Sequence, residues 1–166
     1  MSKREIRIGL YAIMLLALVA LGGCGAYGKT MVVKEVENKK VKVTTYEIAE
    51  GKHAVEVPAE YKKLFVEILT DNLEDDGLKK GKDLKIEYKF TEYDEGSGGL
   101  RFLLGGAGGM GEGKMVINVR FLDASGKALA EISAKGIVDT DKDFEPAIEF
   151  AAGEVSEYIE DNFNQE

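Results

Sequence analysis

Apolar and polar residues trade places along this chain with two different periods, and the switches between them mark out its elements. "TMVVKEVE" (Thr30 to Glu37) and "KVKVTTYEI" (Lys40 to Ile48) alternate on either side of Asn38-Lys39, and "HAVEV" (His53 to Val57) carries the alternation to Pro58. A repeat of two puts every second side chain on one face, as a half-buried strand requires. From Pro58 the period lengthens. Tyr61, Leu64, Phe65, Ile68, Leu69 and Leu73 recur three and four positions apart, so they share one side of a helix that tolerates proline at its start and has Gly77 as its stop. Alternation returns in "DLKIEYKFTEY", with Leu84, Ile86, Tyr88 and Phe90 in phase. It returns again in "KMVINVRFLD", where Ile117, Val119 and Phe121 alternate with Asn118 and Arg120. The turn Asp123-Ala124-Ser125-Gly126 leads into "KALAEISAKGIV", and from Phe144 to Phe163 helical spacing resumes through Ile148, Ala151, Ala152, Val155, Tyr158 and Ile159.

The order reads β-α-β-β-β-α. Helices and strands that are each apolar on one side bury those sides against one another, so the expected fold is an α+β two-layer sandwich: a mixed or antiparallel sheet with two helices on one face. Leu64, Phe65 and Ile148 are expected in its core.

The first residues follow neither period. Lys3, Arg4 and Arg7 outweigh Glu5, and Ile8 to Leu21 then runs without a charge. This basic-then-apolar layout is that of an export signal, and the run is shorter than the roughly 20 apolar residues a membrane span wants. It ends in "LGGC", Leu21 to Cys24, which resembles the lipobox of bacterial lipoprotein signal peptides. Cys24 is the only cysteine, and its thiol is the group that accepts diacylglycerol in such proteins. The resemblance implies removal of residues 1–23, an acylated Cys24, and a place in the cell envelope. Gly25 after Cys24 implies the periplasmic face of the outer membrane if the source is Gram-negative. Residues 24–31, with the small and polar "GAYGKT", are expected to be a tether, and residues 32–166 a single domain.

Charge narrows the partners. The chain carries −8, of which residues 1–23 contribute +3 and −1, leaving −10 after their removal. Phosphate backbones repel such a surface and anionic headgroups gain nothing from it, so nucleic acid is not expected as a partner and any hold on a membrane falls to the lipid on Cys24.

The glycine tract "LLGGAGGMGEGKM" (Leu103 to Met115) raises nucleotide binding. Gly108, Gly113 and Lys114 fit most of a P-loop, and Gly106, Gly108 and Gly111 fit a dinucleotide fingerprint. Both need a helix next, to offer its N-terminal amides to phosphate, and a P-loop needs Ser or Thr where Met115 stands. A strand pattern follows instead. His53, the sole histidine, has no cysteine or second histidine with which to build a metal cluster or a triad, and is expected at the surface at a strand end. Asp139, Asp141 and Asp143 match positions 1, 3 and 5 of a calcium loop, but Phe144 and Phe150 replace the glycine at 6 and the glutamate at 12. A turn in which Asp141 or Asp143 caps the last helix is the simpler reading. No cofactor and no metal are expected.

The string "GLRFLLGGAGGMGEGKMVINVRFLDASGKALAE", Gly99 to Glu131, resembles bacterial lipoproteins of domain-of-unknown-function family 4410, which pair a Gly-Arg-hydrophobic stretch and a glycine loop with a strand, an aspartate and a turn glycine. The family carries no established activity. The expected role is that of a non-enzymatic binding or assembly accessory protein acting on another envelope protein. Arg101, Gly105, Gly106, Gly108, Gly109 and Lys114 are the candidate contact residues. The alternatives are a small-anion or weak calcium-binding protein, or an enzyme that uses the glycine loop.

Overall fold

A computed structural model of the protein describes residues 27–35, 42–96, 112–138 and 144–163. Their strands are β1 (Tyr27–Lys34), β2 (Thr45–Glu50), β3 (Lys79–Lys80), β4 (Leu84–Asp94), β5 (Gly113–Asp123) and β6 (Ala128–Val138). The helices are α1 (Ala59–Asp75) and α2 (Glu145–Phe163). One open sheet runs β1-β6-β5-β4-β2-β3. The pairs β1/β6, β6/β5 and β5/β4 are antiparallel, while β2 lies parallel to β4 and to the two-residue β3. The sheet is therefore mixed, and the α+β sandwich expected from periodicity is the fold observed.

Alternation decides which face is covered. Ile86, Tyr88 and Phe90 of β4 stand in register with Phe121, Val119 and Ile117 of β5, and those in turn with Ala130, Ile132 and Ala134 of β6; all are buried, as is Leu84 at the start of β4. Onto this face α1 brings Phe65, Leu69 and Leu73, and α2 brings Ile148, Val155, Ile159 and Phe163, all closed to solvent. Leu64, Tyr61 and Ile68 are only half-buried at the helix margin. The opposite face is polar, with Glu87 paired to Arg120 across the strands at 3.6 Å.

Local chemistry sets the ends. The Pro58 carbonyl accepts the Tyr61 and Lys62 N–H groups at 3.1 and 3.3 Å, so Pro58, still extended at ψ 138°, is the cap residue from which α1 starts. At the other end Gly77 takes φ +87°. That lets its N–H bond the Glu74 carbonyl and the Leu78 N–H bond the Leu73 carbonyl, with Leu78 and Leu73 both buried; the last carbonyls of the helix are thereby satisfied. Between β5 and β6 the Asp123 carboxylate accepts from Ser125 N–H, Ser125 Oγ and Lys127 N–H at 2.8, 2.6 and 3.0 Å, and Gly126 supplies φ +83°.

Three expectations are corrected. "HAVEV" is not a strand: Gly51 and Ala54 still donate to the Tyr88 and Phe90 carbonyls of β4 at 2.8 and 2.9 Å, but the chain bends at Ala54 and Val55 and heads for Pro58. Leu64, expected in the core, is only half-buried against it; in the sheet, β1 closes one edge beside β6 while β2 lies beyond β4. The expected tether 24–31 loses Tyr27–Met31 to β1, where Tyr27 is paired with Ile137 and Met31 with Ser133.

Candidate functional site

Of the candidate contact residues, Lys114 is described, while Cys24, Arg101, Gly105, Gly106, Gly108 and Gly109 lie outside the described residues, as do Asp139, Asp141 and Asp143. The glycine-rich connection leaves the sheet after Asp94 and returns at Gly113, and its two stems are tightly built. Asp94 Oδ1 accepts the Gly96 N–H at 2.9 Å. Gly113 is packed so closely that an added Cβ would stand 2.7 Å from Val138 Cγ2 and 3.1 Å from the Glu95 carbonyl oxygen. Beneath the stems the Tyr93 ring meets Phe144 edge-on at 5.2 Å and Tyr61 at 6.0 Å. The Tyr93 hydroxyl donates to Glu95, and burial, then that carboxylate, pushes its phenol well above the usual value.

Lys114 is the second residue of β5, opposite Asp94, and its ammonium pairs with Glu92. The cation that a phosphate would need is thus matched by a carboxylate, with Asp94 and Glu95 close by. Gly113 and Lys114 open a strand and not a helix, so this site has no row of free N-terminal amides to offer an anion.

His53 is not the surface residue expected. Its side chain is 15% exposed, its ring packs edge-on against Phe90 at 5.2 Å, and both nitrogens are engaged. The Phe90 N–H donates to Nδ1 at 3.2 Å, which leaves Nε2 to carry the proton and donate to Glu50 Oε1 at 2.5 Å. Lys62 of α1 reaches the same carboxylate oxygen at 3.2 Å. These two partners, His53 first and Lys62 second, hold the Glu50 carboxyl below its usual range. A histidine whose acceptor nitrogen is filled by a backbone amide cannot take a substrate proton there; what it does is fasten the bend after β2 to β4 and α1.

An open groove between β1 and α2 is lined by Thr30, Val32, Glu35, Glu154, Glu157 and Asp161. Thr30 Oγ1 donates to Glu154. Despite its acidity, no three metal-ligating side chains converge among the described residues.

Sequence patterning missed the Tyr61–Tyr93–Phe144 floor, because a bulge between Phe90 and Glu92 shifts Tyr93 out of the phase set by Phe90. It also missed the Glu50–His53–Lys62 cluster, for which the only signal was an acid three residues before the histidine. Among the described residues no helix is long and apolar enough to cross a membrane.

No curated protein matches the sequence. Among solved structures, the PelC dodecamer from Paraburkholderia phytofirmans shares 13% identity over 86% of this chain and 100% of its own, with a TM-score of 0.44. A PDZ domain protein from Parabacteroides distasonis shares 15% over 86% of this chain and 38% of its own, with a TM-score of 0.43. A minor lipoprotein from Acinetobacter baumannii shares 14% over 70% and 92%, with a TM-score of 0.35. A family model, Domain of unknown function (DUF4410), matches residues 34–138. That span runs from the end of β1 to the end of β6 and takes in α1, β2 to β5 and the glycine-rich connection, and on it the chain belongs to this family.

Proposed function

We propose that the protein is a lipid-anchored lipoprotein of the bacterial cell envelope whose domain serves as a non-enzymatic binding or assembly accessory for another envelope protein. The observation that carries this reading is where the fold starts relative to Cys24: β1 begins at Tyr27, so the lipobox cysteine is followed almost at once by the domain. The basic and apolar leader before Cys24 supports it as well. The non-enzymatic part rests on the described chemistry, in which Lys114 is matched by Glu92 and both His53 nitrogens are taken. The same pairing of Lys114 tells against the small-anion alternative. Anchoring at the periplasmic face of the outer membrane belongs to this proposal through Gly25.

Metabolic labelling with a fatty-acid analogue tests the anchor. Wild type incorporates the label; Cys24→Ser accumulates as an uncleaved precursor without it, while its domain melts as before because the thiol precedes β1. Label persisting on the Ser variant sinks the idea. Cross-linking in intact cells, followed by mass spectrometry of what is captured, tests the accessory role, with a reproducible envelope partner expected and none counting against it.

A further inference from the structure

Resting on the anchoring reading, we propose that the domain stands end-on at the bilayer, with the end of the sheet that carries Tyr27, Asp94, Gly113 and Val138 facing the lipid surface and the Asp123–Lys127 turn facing away.

The sheet register defines that end. Tyr27 pairs with Ile137, Gly113 with Val138, and Asp94 with Lys114, so the start of β1, the end of β6, the start of β5 and the end of β4 lie in one row. Phe144, just before α2, packs there against Tyr93. The Asp123–Lys127 turn is at the other end of β5, an 11-residue strand, hence about 35 Å away at roughly 3.3 Å per residue. From Cys24 to Tyr27 there are three residue steps, which span at most about 11 Å fully extended. Because β1 is hydrogen-bonded into the sheet from Tyr27 onward, none of it can be drawn out to lengthen the link. A lipid on Cys24 therefore holds Tyr27 close to the headgroups, and the turn cannot come equally close unless the strands lie flat.

Lying flat on the β1 edge is the competing orientation. That edge exposes Met31, Val32 and Val33 at 63%, 48% and 58%, which suits a lipid surface. Against it, β1 is the outermost strand, and its outward peptide groups lose water in an apolar phase without gaining partners. Standing end-on keeps those peptide groups in water. It also brings both stems of the glycine-rich connection to the bilayer side, whatever that connection binds.

Full-length acylated protein, in vesicles of phosphatidylethanolamine and phosphatidylglycerol with a spin-labelled headgroup lipid, tests the placement. A fluorophore is attached in turn at Lys29→Cys, Val33→Cys and Ala124→Cys, all exposed positions. Quenching is expected to be strong at 29, weaker at 33 and absent at 124. Equal quenching at 29 and 33 means the edge lies flat, and equal quenching at 29 and 124 means no fixed orientation; either overturns the proposal. A long Gly-Ser spacer inserted between Ala26 and Tyr27 is expected to flatten the gradient, and a gradient that survives it removes the short link as the cause. Intact mass of the same preparation separates the two levels: an unacylated Cys24 overturns the anchoring reading and the placement with it, whereas acylated protein without the gradient overturns the placement alone.

Discussion

The two helices cover the same sheet face by opposite means. α2 sits low: the residues it buries include Ala147, Ala151 and Ala152, and opposite it in β6 stands Gly136, where an added Cβ would fall 1.7 Å from the Ala147 carbonyl oxygen. Backbone meets backbone there, and no side chain fits between. α1 rides higher on large side chains, its Phe65 ring lying 5.1 Å from Tyr88 and 5.9 Å from Phe90, with Leu69 and Leu73 filling the remaining space. One seat is intolerant of added atoms and the other of removed ones, as close-packed interiors demand in either direction.

Gly136→Ala is expected to break the first seat. The methyl group collides with main-chain atoms that cannot rotate away, so α2 must lift from β6, at a cost of about 4 kcal/mol or more, beyond ordinary overpacking. Urea unfolding measures it, and a loss below about 1 kcal/mol would mean that α2 is not seated on this glycine. Phe65→Ala empties the second seat and is expected to cost about 3–4 kcal/mol through lost burial and the cavity left. The pair sharpens the contrast if Phe65→Leu recovers much of the loss while no side chain rescues position 136.

Alkali should loosen the α1 side first. Burial, then the Glu50 charge, pushes the Tyr88 phenol up from 10 to about 12. A raised pKa means that the fold favours the protonated ring: its contribution is complete below pH 10 and disappears as pH rises through 12, at about 2 kcal/mol in all. Tyr88→Phe should flatten this part of the stability profile, read by urea midpoints across that window. The smallest effect is at Glu50, whose depressed pKa gives stability that is present above the usual 4.5 and is lost as pH falls through the lower folded value. Half exposed at 51%, it should contribute under about 1 kcal/mol, so Glu50→Gln should shift the midpoint slightly at neutral pH and make the acid slope slightly shallower.

What could be read from sequence follows from what periodicity encodes. It reports which side of an element is dry, so α1, β4, β5, β6 and α2 were all visible, as was the Gly77 stop. It does not report the neighbour: the alternation of "KVKVTTYEI" looks the same whether Tyr46 stands next to β1 or, as it does, next to Leu84 of β4. Two-residue β3 has no period at all. Small residues carry a double meaning. "GAYGKT" reads as loose chain, yet Gly28 lies in β1 beneath the Glu154 side chain of α2, an added Cβ meeting Glu154 Oε1 at 2.8 Å. His53 misled for a related reason, since its engagement depends on a backbone amide of β4, and a main-chain donor leaves no mark in a residue pattern. The candidate contact set was legible only as composition; of its members, Lys114 could be placed, and its partner Glu92 comes from another strand.

The pairing of β1 with β6 also governs the order in which the molecule can assemble. Tyr27 finds its partner in Ile137, near the opposite end of the chain, so the first strand made is among the last that can be used. The ladder β4-β5-β6, by contrast, joins successive strands. Closing so long a loop before any ladder bond forms is entropically costly, and the central strands can pair while the N-terminal strand is still free. A chain held at its N-terminus during synthesis or transport would thus keep β1 unpaired until β6 has emerged. Truncation before Ala128 would remove β6 and leave β1 without its partner strand, a free strand open to aggregation.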